Sequence, residues 1–154
     1  MKKILILLLA VVMVLCCACG KSDAKPLTDV YNDIKAQVGF ENVTELNDIS
    51  LMERYYGITS DMAAEFAGCV NSSGVEQEEI VLVKAVDDAS AATVKEKLEN
   101  RYKAKLDQNK SYNPEQAAMI EKCSVQQNGL YVSMIVSDKA EQITAIYRSE
   151  AGLK

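Results

Sequence analysis

Carboxylates are the most numerous side chains here that could carry out chemistry, with 22 aspartate and glutamate residues. The 154 residues contain no histidine. The lack of histidine excludes the serine and cysteine nucleophile systems that need an imidazole base, and also the usual zinc sites. The densest carboxylates are Asp87-Asp88 and the group Glu76, Glu78 and Glu79. Such groups could in principle serve glycoside hydrolysis or calcium binding.

Both acidic groups also have a structural interpretation. Asp87-Asp88 lies between a predicted strand and a predicted helix, where acidic side chains cap helix N-termini. The group from Glu76 to Glu79 follows a turn, and neither group has the alternating ligand spacing of a calcium loop. We therefore expect no catalytic residue, no metal and no cofactor. A carboxylate-dependent cell-envelope hydrolase, using Asp87, Asp88, Glu78 and Glu79, is the alternative hypothesis.

Tyrosine and basic side chains are better candidates for a binding site, because tyrosine and arginine bury area and still offer hydrogen bonds. Lys84 is unusual as a charge inside a β-branched run, and it either reaches an edge of the sheet or faces a polar groove. In the alternative interpretation, the tyrosines lie at the edge of the core and Arg101 pairs with a nearby carboxylate. The candidate binding residues are Tyr55, Tyr56, Lys84, Arg101, Tyr112 and Tyr131.

Thiol chemistry is indicated near the N-terminus. Lys2 and Lys3 precede an apolar run that ends at Cys19, as in a secretion signal, and the run is shorter than the roughly 20 residues of a membrane span. The segment Leu15-Cys16-Cys17-Ala18-Cys19-Gly20 resembles the lipobox of bacterial lipoproteins, whose cysteine receives a diacylglyceryl group and fatty acyl chains such as palmitate. We expect Cys19 to be the lipidated residue, with Cys17 as a competing acceptor.

Three parts of the chain follow from this assignment: a signal peptide at 1–18, a lipidated cysteine and tether at 19–26, and one domain at 27–154. The expected location is the extracytoplasmic face of the cell membrane. Without the signal, 15 basic residues face 22 acidic ones, a net charge of −7. An acidic domain lacks the basic surface that nucleic-acid binding needs. It is also not attracted to an anionic membrane surface, so membrane attachment depends on the lipid anchor.

Two cysteines remain in the domain, Cys69 and Cys123. In an exported protein such a pair could form a disulfide. The alternative is two buried free thiols, because free cysteine is among the most buried residue types.

Hydrophobic periodicity predicts eight elements. A helix over Leu27–Val38 and a short helix with the capping-box form Ser50-x-x-Glu53 precede a strand over Glu65–Val70. A β-branched strand over 80–86 leads into the longest helix, Ala91–Asn109. Strands at 122–127 and 130–136 flank Asn128-Gly129, a hairpin signal, and a helix from Ala140 closes the chain. The order predicts an α+β fold, an antiparallel sheet of about four strands with helices mainly on one face.

Several short motifs, in order, resemble a family of small lipoproteins of Gram-positive, mostly anaerobic bacteria, catalogued as domain of unknown function 4358. The resemblance covers residues 45–150 and brings no known activity. The matching positions are Tyr55-Tyr56-Gly57-Ile58, Glu79-Ile80, Lys84, Arg101, Tyr112-Asn113-Pro114-Glu115 and Gly129-Leu130-Tyr131-Val132.

The leading functional hypothesis is a non-enzymatic lipoprotein domain that binds an envelope protein, a peptide or a small solute at the cell surface. A third hypothesis is a structural role, in which the domain spaces or stabilises a larger envelope complex.

Overall fold

Residues 24–153 are described by a computed structural model. The predicted signal peptide and Cys19 lie outside these residues. The helices are α1 (Leu27–Val38), α2 (Ile49–Tyr56), α3 (Asp88–Tyr112), α4 (Pro114–Ile120) and α5 (Ala140–Glu150). The strands are β1 (Val43–Glu45), β2 (Ala63–Asn71), β3 (Glu79–Ala85), β4 (Ser124–Asn128) and β5 (Tyr131–Val136).

The strands form one antiparallel sheet in the order β1-β2-β3-β5-β4. The nearly continuous apolar run of β3 places it in the middle, because a strand covered on both faces has no polar side to show. The α+β class and the antiparallel sheet are confirmed. The sheet has five strands rather than about four, because Val43–Glu45, where no strand was predicted, forms the short edge strand β1.

Helices cover both faces of the sheet, so the prediction of helices mainly on one face is wrong. Val81 and Val83 belong to a first core, formed with α2, α3 and α4. Ile80 and Leu82 point the other way, into a second core formed with α1 and α5. A strand with apolar residues on both faces must be covered on both faces. The apolar run of β3 therefore requires a helical layer on each side of the sheet.

Local signals account for the helix ends. The side chain of Asp48, not Ser50, caps α2 by accepting a hydrogen bond from the Ser50 amide at 2.7 Å, so the predicted capping box is wrong. Asp87 caps α3 in the same way, as predicted. Asn113 caps α4, with Pro114 at its first position.

The two domain cysteines lie on opposite faces of the sheet. Cys69 belongs to the second core and Cys123 to the first, and both are free and buried. No disulfide joins them in the structure, because the sheet separates the two thiols. Among residues 24–153, no helix is long and apolar enough to cross a membrane.

Candidate functional site

A buried ion cluster joins the start of β3 to the middle of α3. The Glu79 side chain is fully buried and accepts two hydrogen bonds from Arg101, Nε to Oε1 at 3.0 Å and Nη2 to Oε2 at 3.0 Å. Lys105, one helical turn further along α3, places its Nζ 2.8 Å from Glu79 Oε2. One carboxylate is thus shared by two cations, and both of its oxygens contact a cation.

Lys105 is itself nearly enclosed, with 7% of its side chain exposed. Its ammonium also donates to the carbonyl oxygen of Gln77 at 3.2 Å and to the Gln77 side chain at 3.1 Å. Burial lowers the pKa of Lys105, whereas the Glu79 charge acts in the opposite direction. The two cations hold the pKa of Glu79 below its usual range, although burial alone would raise it.

Tyr56 completes the surroundings of this cluster. It is buried, and burial together with the nearby Glu79 charge raises its pKa. The hydrogen bonds to Glu79 raise the pKa of Arg101, and the nearby Tyr56 and Tyr55 act in the same direction. Three predicted binding residues therefore lie together, but Arg101 pairs with a carboxylate and Tyr56 faces the core, as the alternative interpretation expected.

A second polar group lies on the opposite face of the sheet. Lys84 Nζ is 2.7 Å from Glu65 Oε1 and 5.6 Å from the centre of the Tyr131 ring. The other oxygen of Glu65 accepts the Leu27 amide at 3.1 Å, at the N-terminus of α1. The Glu65 hydrogen bond raises the pKa of Lys84. The Lys84–Glu65 pair thus links β2 and β3 to the start of α1.

Tyr112 lies apart from both groups, at the C-terminal end of α3, with 85% of its surface exposed. The six predicted binding residues are therefore distributed over three places. They do not form one site, because Lys84 and the Arg101–Glu79 pair lie on opposite faces of the sheet.

A cleft with a volume of about 700 Å³ lies at the end of the sheet where β3 begins. We call it the end cleft. Segments from four parts of the chain meet there, at residues 38–41, 76–78, 115–119 and 137–139, which is why no local motif predicted it. Its lining residues are Val38, Gly39, Phe40, Glu41, Glu76, Gln77, Glu78, Glu115, Gln116, Met119, Ser137, Asp138 and Lys139.

The lining of the end cleft is acidic, with five carboxylates and one lysine, Lys139. Glu78 is half-buried and accepts a hydrogen bond from the Ser137 hydroxyl at 2.7 Å. Burial raises the pKa of Glu78, and the neighbouring carboxylates of Asp138 and Glu76 raise it further. Residues 24–153 contain no group of three or more histidine, cysteine or carboxylate side chains arranged to hold a metal ion.

The four carboxylates of the hydrolase hypothesis do not converge. Glu78 and Glu79 lie at the start of β3, whereas Asp87 and Asp88 follow its end, about 25 Å away along the extended chain. Alternation along the strand also directs Glu79 toward α3, where it contacts Arg101 and Lys105, while Glu78 reaches the end cleft. Glycosidase carboxyl pairs lie about 5 to 9.5 Å apart.

Fold and site together define a three-layer α+β domain with a buried ion cluster and an acidic cleft at one end. The family described as Domain of unknown function (DUF4358) matches residues 36–137, so the chain belongs to this family. The matched stretch contains all five strands and helices α2, α3 and α4. Neither the curated proteins nor the solved structures contain a match to the chain.

Proposed function

We propose that this protein is a lipid-anchored, extracytoplasmic binding domain without catalytic activity, and that its ligand is a small cationic solute held in the end cleft. The observation that carries the proposal is the size and charge of this cleft. Its volume of about 700 Å³ falls within the usual range of small-molecule sites, about 300 to 1,000 Å³. Its carboxylates favour an ammonium or guanidinium group.

The position of the end cleft suits a receptor attached through Cys19. Lys25 directly precedes Pro26. Its backbone amide donates a hydrogen bond to the carbonyl oxygen of Glu150, at the C-terminal end of α5, with an N–O distance of 3.1 Å. From there α1 runs about 18 Å to Val38, at the rim of the cleft. An anchor at Cys19 would therefore leave the cleft open at the end far from the membrane.

The separation of the four carboxylates named in the hydrolase hypothesis supports binding over catalysis. Asp87 serves as a helix cap, and Glu79 is enclosed by two cations. A buried carboxylate whose two oxygens both contact cations is poorly placed to reach a substrate.

The proposal is tested by calorimetric titration of the detergent-purified, full-length protein with spermidine and arginine, using succinate as an anionic control. We expect saturable binding of one or both cations and none of succinate. The double variant Glu78→Gln, Asp138→Asn should weaken cation binding roughly tenfold or more. Each of the two substitutions removes one carboxylate that could form a charge-assisted hydrogen bond with the cation.

The matched control is Glu96→Gln, Asp107→Asn, which removes the same charge from exposed positions of α3 outside the cleft. This variant should bind like the wild type. Absence of cation binding to the wild type, or equal losses in the two double variants, would contradict a binding site in the end cleft.

Cation binding should also weaken on acidification. A cation binds the ionised form of Glu78, and the pKa of this carboxyl is raised above its ordinary value of 4.5. Affinity should therefore begin to fall at a higher pH than an ordinary glutamate would give. Titrations between pH 7.5 and pH 4.5 measure this fall, and the Glu78→Gln single variant should show a flatter profile.

A further inference from the structure

The strand β4 is an open edge of the sheet. It pairs only with β5, from Ser124 opposite Ile135 to Asn128 opposite Tyr131. In the part of the chain that the structure describes, residues 124–127 of β4 make no backbone hydrogen bond other than those to β5. The backbone amides and carbonyls on the outer side of residues 124–127 can therefore pair with another extended chain.

This edge lacks the features that usually protect edge strands. The five residues of β4 include no charge, no proline and no bulge relative to β5. The opposite edge differs, because β1 has only three residues and ends at Glu45, which forms an ion pair with Lys35. The sheet is thus blunted at one edge and left open at the other.

A groove runs beside β4 on the α5 side of the sheet, and we call it the edge groove. Its main part has a volume of about 320 Å³, between Gln126 and Ile135 on the sheet and Thr144 and Ala145 on α5. A smaller pocket of about 50 Å³ continues it, sharing Gln126 with the main part. Side chains of a strand added beside β4 would alternate into this space.

The edge groove is bordered by cations in a domain that is otherwise acidic. Lys122 and Arg148 line it, together with one carboxylate, Glu141. Both cations are exposed, and neither forms an ion pair with any of residues 24–153. Their charges are therefore available to a carboxylate of a bound chain.

We propose that β4 binds an extended, acidic peptide segment of another protein by β-strand addition. The peptide backbone pairs with the open edge, and its acidic side chains lie over the edge groove against Arg148 and Lys122. Strand addition obtains affinity from main-chain hydrogen bonds and specificity from alternate side chains, which are the two features that this edge offers.

A second copy of this chain fits the same edge less well. Antiparallel pairing of two β4 strands requires a two-fold axis perpendicular to the sheet, which places the cationic groove of one copy beside that of the other. Arg148 and Lys122 of the two copies would then meet as like charges. The same axis would point the two N-terminal ends, near Lys25, in opposite directions.

The test uses the full-length protein in detergent and a fluorescein-labelled decapeptide of alternating valine and glutamate, followed by fluorescence anisotropy. We expect saturable binding, and at least tenfold weaker binding of the matched valine–lysine decapeptide. Two valine–glutamate peptides N-methylated at every second residue are compared, one at the valines and one at the glutamates. Only one of them should lose binding, because alternate amides point to opposite edges of the peptide and only one edge pairs with β4.

The variant Arg148→Glu should reduce binding of the acidic peptide at least tenfold and improve binding of the lysine peptide. The control Lys103→Glu makes the same charge change at an exposed position of α3 and should leave both affinities unchanged. Both substitutions are at exposed residues, so folding is retained and can be confirmed by circular dichroism.

The proposal would be overturned if the wild type does not bind the acidic peptide, or if the two variants lose binding equally. It would also be overturned if sedimentation shows a dimer that the peptide dissociates, since a second copy would then occupy the edge. The cleft variant Glu78→Gln, Asp138→Asn should keep its peptide affinity, so this test and that of the end cleft fail independently.

Discussion

Glu79 is the residue whose role differs most from its appearance in the sequence. It stands in an acidic run with Glu76 and Glu78, which suggests a solvated surface or a catalytic group. In the structure it is the buried counter-ion of Arg101 and Lys105. Removing one member of a buried ion cluster costs far more than a surface pair contributes, because the remaining charges are left without compensation.

We predict that Glu79→Gln lowers the free energy of unfolding by about 3 to 5 kcal/mol at neutral pH, since two cations then lack their anion. Urea denaturation measures the loss as a lower midpoint. The control is Glu65→Gln, which breaks the pair with Lys84, where both side chains are 34% exposed. That variant should lose no more than about 1 kcal/mol, and equal losses would show that the Glu79 cluster is not a strong contributor.

The pH dependence of this difference has a defined sign. The pKa of Glu79 is lower in the folded protein than its ordinary value of 4.5, so the unfolded chain binds more protons in this range. Its contribution is fully present above pH 4.5 and is lost as the pH falls through the folded-state value. The stability gap between wild type and Glu79→Gln should therefore narrow below pH 4.5, and a constant gap from pH 7 to pH 3 would contradict this assignment.

The pairing of β2 with β3 depends on one glycine. Gly68 has a φ of +150°, and a Cβ built there would lie 1.9 Å from the carbonyl oxygen of Ile80 on the neighbouring strand. No side chain can occupy that space without moving β2 away from β3, because the obstacle is backbone. The sequence shows a glycine in a strand, which signals a close approach or a bulge but not which neighbour is approached.

We predict that Gly68→Ala destabilises the domain by about 3 kcal/mol or more, combining overpacking with backbone strain. Gly74→Ala is the control, since Gly74 also has a positive φ of +78° but no atom within 4 Å of the added Cβ. Its cost should be about 1 kcal/mol, from the left-handed backbone alone. Thermal unfolding of the two variants compares them, and similar losses would mean that the contact with Ile80 relaxes easily.

At the scale of the whole molecule, the proposed anchor determines how the sites are presented. Lys25 lies against the C-terminal end of α5, while the end cleft opens beyond the other end of α1. The edge groove runs along the side between these two ends. A tether from Cys19 to Pro26 spans at most about 25 Å, so attachment would keep the domain close to the membrane.

We predict that the full-length protein partitions into the detergent phase of Triton X-114 and that Cys19→Ser moves it to the aqueous phase. Cys17→Ser is the matched control and should leave partitioning unchanged, because the expected acceptor is retained. The intact mass of material from the native host should show a lipid-modified N-terminal cysteine. An effect of Cys17→Ser instead, or an unmodified first residue, would contradict the assignment of Cys19.

Sequence periodicity alone determined most of the elements, because burial of an apolar stripe or an alternating face is a local property of the chain. The hairpin of β4 and β5, the helix cap at Asp87 and the long helix α3 all follow from residues close to one another. The turn of the hairpin lies one residue later than predicted, at Gly129-Leu130, because Asn128 pairs with Tyr131. Only the tertiary structure decided which side of the sheet each charge occupies. It separated Cys69 from Cys123 and Lys84 from Arg101, and it brought Glu79 to Arg101, because contacts across a sheet depend on how distant segments pack.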